Sequence, residues 1–99
     1  MGAMVSRLVM GQELLAAIAD ATRAAPYIAR RELYGRYFRN ADLESFDRQL
    51  SLLASEGLVE RRPNPEEPGD RLLGLTEISR GGRVPWEAIE RGRKRRGEI

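Results

Sequence analysis

Sixteen of the 17 basic residues are arginines, with Lys94 the exception. A guanidinium is a planar fork of donors that fits phosphate oxygens and the O6/N7 edge of guanine. One arginine, Arg48, stands beside Gln49 in the segment 42–62, where Leu43, Phe46, Leu50 and Leu53 recur at intervals of three, four and three. That interval is the period of one helix face. With this stripe turned inward, the opposite face carries Ser45, Arg48, Leu52 and Ser55, with Glu44, Gln49 and Ser51 at its edges. Arg48 there suits a guanine edge and Gln49 an adenine edge, because each presents a matching pair of hydrogen-bonding groups. Ser45 could reach a base or a phosphate. Leu52 could meet a thymine methyl, although packing against the chain or a partner is the commoner fate of such a leucine.

Charge works against this picture locally and for it nearby. Residues 42–56 hold Asp42, Glu44, Asp47 and Glu56 against Arg48 alone, a net of −3. Attraction to a phosphate backbone must then come from flanking arginines. Arg30, Arg31, Arg36 and Arg39 precede the segment, and Arg61, Arg62 and Arg71 follow it. Singly, each is most simply a solvated surface charge; as a group around one helix they favour phosphate contact. The last nine residues carry a net charge of +4 while residues 1–90 carry −2. Arg93 and Arg95 in this basic tail are candidates for phosphates or for a narrow A·T minor groove; the plain alternative is a solubilising tail.

These residues need elements to position them. Residues 12–23, with Leu14, Ile18 and Ala21 on one stripe and Met10 ahead of it, predict a first helix that ends before Pro26. Tyr27-Ile28 reads as a short strand. A second, short helix runs from Arg30 to Tyr37 or Phe38, with Leu33 and Tyr37 inward and Tyr34 or Phe38 beside them. Gly35 within it implies either a weak helix or a close neighbour. Asn40 or Asp42 caps the third helix, Gly57 stops it, and Leu58-Val59 opens a strand. Residues 63–70 contain three prolines and a glycine, which exclude helix and interior strand. Residues 71–76 are extended again, so two strands flank a turn. Residues 84–90 predict a last helix with Trp86 and Ile89 on its apolar face. Met1-Gly2-Ala3-Met4 reads as a cloning scar.

The order helix, strand, helix, helix, strand, turn, strand, helix resembles the winged helix-turn-helix. Residues 46–50 with Leu53, then residues 56–61, resemble the recognition helix and following strand of MarR-like and PadR-like bacterial regulators. Asp70-Arg71 before Leu75-Thr76 resembles the end of their wing. Pro26-Tyr27-Ile28 with Glu32-Leu33 resembles their short strand and second helix. The resemblance implies an α+β, mostly helical winged helix with a three-helix core, a β-hairpin wing and a C-terminal helix. It places an N-terminal segment at 1–9, the domain at 10–83, and a C-terminal helix and basic tail at 84–99. It implies sequence-specific binding of double-stranded DNA by a small bacterial or mobile-element regulator. One small module offers limited contact area, so a homodimer is expected, with Trp86 and Ile89 at its partner surface; the plain alternative is that Trp86 caps the core of its own monomer. The alternative is a winged helix used for protein contact, favoured by the acidic third helix and an exposed Leu52.

Composition limits other classes. Cysteine and histidine are both absent, which excludes disulfides, Cys/His metal sites and Cys- or His-based catalysis. No phosphate-binding glycine motif is present, so an enzyme is not expected, nor a cofactor, metal or small-molecule ligand. No apolar run approaches the ~18 residues of a membrane span. No secretory signal is visible, and a cytoplasmic location is expected.

Overall fold

Asp42 begins the central helix by accepting a hydrogen bond from the Ser45 N–H at 2.8 Å, one of the donors that a helix start leaves unpaired. The computed structural model describes residues 7–80. In chain order they form α1 (Gly11–Ala21), β1 (Ile28–Ala29), α2 (Arg30–Tyr37), α3 (Leu43–Ser55), β2 (Val59–Pro63), β3 (Arg71–Leu75) and α4 (Glu77–Arg80). The expected C-terminal helix at 84–90, the tail, Trp86, Ile89, Arg93 and Arg95 lie outside the described residues.

The end of α3 follows from Gly57, whose φ of +77° a side chain would oppose. The Gly57 N–H donates to the Ala54 carbonyl at 3.1 Å and the Leu58 N–H to the Leu53 carbonyl at 2.9 Å. That pair of bonds closes the helix and satisfies two of its last carbonyls. The chain then enters β2, which pairs antiparallel with β3 from Val59↔Leu75 to Pro63↔Arg71. β3 lies between β2 and β1, and pairs with β1 at Ile28↔Leu73 and Ala29↔Leu72. Gly74 is needed where β3 passes under the chain before β1: a Cβ there would stand 2.8 Å from both the Pro26 carbonyl and the Tyr27 ring.

The core lies between the helices and the inner face of the sheet. Leu14 and Ile18 of α1, Leu33 of α2, Phe38, Phe46 and Leu53 of α3, Leu58 and Leu73 are fully enclosed. The ring of Phe46 meets Tyr34 edge-on at 5.1 Å and Phe38 at 5.4 Å, and the Tyr34 hydroxyl donates to the Ala41 carbonyl at 2.7 Å. These contacts set the angle between α2 and α3. This is the winged helix-turn-helix architecture expected from the sequence.

Residues 7–9 pack with the domain: Val9 is buried, and the Asp42 N–H donates to the Arg7 carbonyl at 2.8 Å. Met10, ahead of the α1 stripe, is exposed at the N-cap position.

Candidate nucleic-acid interface

The orientation of α3 decides what it can present. Its buried side chains are Ser45, Phe46, Gln49, Leu50, Leu52 and Leu53. They form two adjacent stripes, 46/50/53 and 45/49/52. The exposed residues Glu44, Arg48, Ser51 and Ser55 form the outer stripe, with Leu43 at its flank. The helix is thus rotated by roughly 60° from the predicted orientation, more than half of the ~100° step between successive residues. Leu43, placed inside by the sequence pattern, is 47% exposed, while Leu52, placed outside, is 8% exposed.

This rotation removes Ser45 and Gln49 from the outer face. Ser45 is buried and its hydroxyl accepts the Val9 N–H at 2.8 Å, which ties the segment before α1 to the start of α3. Gln49 is also buried, and its Oε1 has no hydrogen-bond partner among the described residues. The expectation that both side chains are available to bases is therefore corrected by their burial. Sequence reasoning had one usable signal: an inward stripe that takes in both Leu52 and Leu53 gives the observed rotation.

Arg48 is outward, as expected. Its Nη2 donates to Glu44 Oε1 at 3.0 Å, one helical turn earlier, in a pair whose side chains are 59% and 80% exposed. Such a pair contributes only ~0.3–0.5 kcal/mol and opens easily. Ser51, one turn further on, accepts from Arg61 Nη1 at 3.5 Å. Arg48, Ser51 and Arg61 thus form one surface that runs from α3 onto β2. Ser51 was expected only at the edge of that face, and its link to the wing was not foreseen.

The other predicted arginines divide by partner. Arg30 donates from Nε and Nη2 to both carboxylate oxygens of Asp47, at 2.8 and 2.6 Å, and lies 5.7 Å from the Phe46 ring centroid. The Arg31 guanidinium pairs with Glu67 in the wing turn. These two arginines fasten α2 to α3 and to the wing. Arg62 follows Arg61 and so points to the other side of the strand. It lies 5.0 Å from the Tyr27 ring centroid and donates to Glu60. Glu60 also accepts the Tyr27 hydroxyl at 2.7 Å. Hydrogen bonds from Tyr27 and then Arg62 lower the Glu60 pKa, and the bond to Glu60 raises that of Tyr27. The guanidinium groups of the exposed Arg39 and Arg71 have no carboxylate partner among the described residues, and neither does that of Arg61.

The acids of α3 are now distinguishable. Asp42 is the cap and Asp47 holds Arg30; Glu56 is the C-cap residue. Glu44 is the acid that faces outward in the first turn. Among the described residues, no group of acids is arranged to hold a metal ion, and no helix is long and apolar enough to cross a membrane.

The chain is similar to two solved structures. One is a cysteine-to-serine mutant of MarR from E. coli complexed with operator DNA, at 32% identity and a TM-score of 0.56, covering 85% of this chain and 51% of that one. The other is the PcaV transcriptional regulator from Streptomyces coelicolor, at 24% identity and a TM-score of 0.54, covering 67% of this chain and 47% of that one. The chain spans about half the length of each. Family models and curated proteins gave no match. The likeness assigns the fold: it is a MarR-like winged helix.

Proposed function

We propose that this MarR-like winged helix binds double-stranded DNA and regulates transcription, as a bacterial or mobile-element regulator. The observation that carries the reading is the continuous surface from Arg48 through Ser51 to Arg61, flanked by Arg39 and Arg71. In this geometry α3 lies in the major groove with Arg48 on a guanine edge, and the strand and wing arginines take phosphates. Arg30, Arg31 and Arg62 support that surface from their ion pairs. Ser45 and Gln49 shape the helix from its buried side, and the tail arginines Arg93 and Arg95 add phosphate contacts. A single small module offers limited contact area, so the active species is a homodimer, with Trp86 and Ile89 at the partner surface.

The alternative, a module for protein contact, loses one support, because Leu52 is buried rather than exposed. The test is binding of the full chain to duplex DNA across a salt series, with Arg48→Ala alongside. The three uncommitted arginines together with Arg93 and Arg95 give a slope of log affinity against log salt of roughly −4 to −5 per copy. Arg48→Ala weakens binding to a selected site about fivefold or more and leaves random duplex nearly unaffected. Failure to bind duplex at low salt overturns the proposal and promotes protein contact.

A further inference from the structure

Glu44 is the one acid of α3 that faces outward in its first turn; it is neither the cap of the helix nor a tie to another element, and its ion pair is with Arg48 one turn along. Asp42 accepts the Ser45 N–H and Asp47 is occupied by both nitrogens of the Arg30 fork. Glu44 contacts Arg48 through Oε1 at 3.0 Å with its side chain 80% exposed. A carboxylate of this kind only accepts. In the major groove it is repelled by phosphate, by guanine O6 and N7 and by thymine O4, and is best satisfied by the amino group of cytosine, since the amino group of adenine stands beside the N7 acceptor, which repels it.

We propose that Glu44 is a specificity-determining residue that selects cytosine beside the base read by Arg48. The inference rests on the DNA reading above. Four residues of helix advance about 6 Å, close to two steps of ~3.4 Å along one strand. Glu44 and Arg48 therefore read positions within about two base pairs of each other, one accepting from cytosine and the other donating to guanine. Their mutual ion pair lies on the exposed outer face, and exchange of that weak pair for base contacts costs little. The negative charge also lowers affinity for any sequence without the cytosine, so selectivity comes from repulsion as well as attraction.

The experiment is selection of bound duplexes from a randomised library by the full-length chain, its Glu44→Gln variant and its Glu44→Ala variant, followed by affinity measurement on the selected sites. The wild type prefers cytosine at one position by about fivefold or more. Glu44→Gln moves that preference toward adenine, which its amide matches with an acceptor and a donor. Glu44→Ala loses the preference and binds random duplex several-fold tighter. A residue that merely supported the helix would change affinity evenly, with no shift in base preference. If the wild type binds DNA and all three proteins select the same bases, this inference is overturned and the DNA reading stands. If the wild type ignores duplex at low salt, both are overturned.

Discussion

The two helices of the helix-turn-helix are stabilised in opposite ways. α3 carries what it needs within its own sequence: the Asp42 cap, the Gly57 closure, two adjacent buried stripes and the Glu44–Arg48 pair. α2 has a like pair, Glu32–Arg36 at 3.0 Å, and little else of this. Its N-cap is Ala29, which has no side chain to accept a helix N–H, its one buried residue is Leu33, and Gly35 interrupts it. Its start is held by carboxylates distant in sequence. Asp70 Oδ1, at the base of the wing, accepts the Arg31 N–H at 3.3 Å and the Arg71 N–H at 2.9 Å, while Asp47 and Glu67 grip the first two arginine side chains. Asp70 caps α2 in place of a local residue, and its negative charge lies at the positive end of that helix. The helix proposed to read bases is built locally; the helix that positions it depends on partners from α3 and the wing. The orientation of α2 and the position of the wing are therefore set together.

The largest expected effect breaks that dependence. Asp70 is 7% exposed, so Asp70→Ala leaves two backbone N–H groups without their acceptor in a sheltered site. The loss is about 2 kcal/mol, measured as a lower midpoint in urea unfolding. Asp70→Asn keeps an acceptor oxygen and recovers most of it. If Asp70→Ala unfolds at the same midpoint as the wild type, α2 is not capped from the wing, and the contrast with α3 fails.

A smaller effect tests the grip on Arg30. Its pair with Asp47 is bidentate, and the arginine side chain is 29% exposed. Arg30→Ala costs about 1 kcal/mol of stability, at the upper end for partly solvated pairs. Because its guanidinium is already committed, the salt dependence of DNA binding stays as in the wild type, whereas Arg61→Ala reduces the slope by about one. A drop in slope for Arg30→Ala would move that residue from the supporting set to the phosphate-contacting one.

The same contrast explains what the sequence could reveal. The Asp42 cap, the Gly57 stop, the proline-rich turn and the Phe46/Leu50/Leu53 stripe depend on local chemistry, and each stands where the pattern places it. The rotation of α3 does not depend on local chemistry. Leu43 and Leu52 are the same residue type, and Leu52 is the one enclosed; the hydrogen bond from Val9 to Ser45, across 36 residues, belongs to the same buried side. Pairing of the arginines was equally hidden, because the Arg30 side chain meets a carboxylate 17 residues away and the Arg31 side chain meets Glu67 in the wing turn. Spacing shows that arginines surround the helix; it does not show which are already engaged.

Gly35 gives the smallest and most local test. The sequence left two reasons for a glycine there: a weak helix, or a neighbour too close for a side chain. A Cβ built at this position meets nothing within 4 Å, and the residue is exposed, so close packing is not the reason. Replacement by alanine then removes backbone freedom from the unfolded chain without strain in the folded one. Gly35→Ala should stabilise the domain by about 0.8–1 kcal/mol, a rise of roughly 4–8 °C in Tm. The gain belongs to α2 because this helix lacks the local support that α3 has, and it should partly offset Asp70→Ala in the double variant. A fall in Tm would mean that α2 uses the glycine for an approach by another copy of the chain, since nothing among the described residues fills that space.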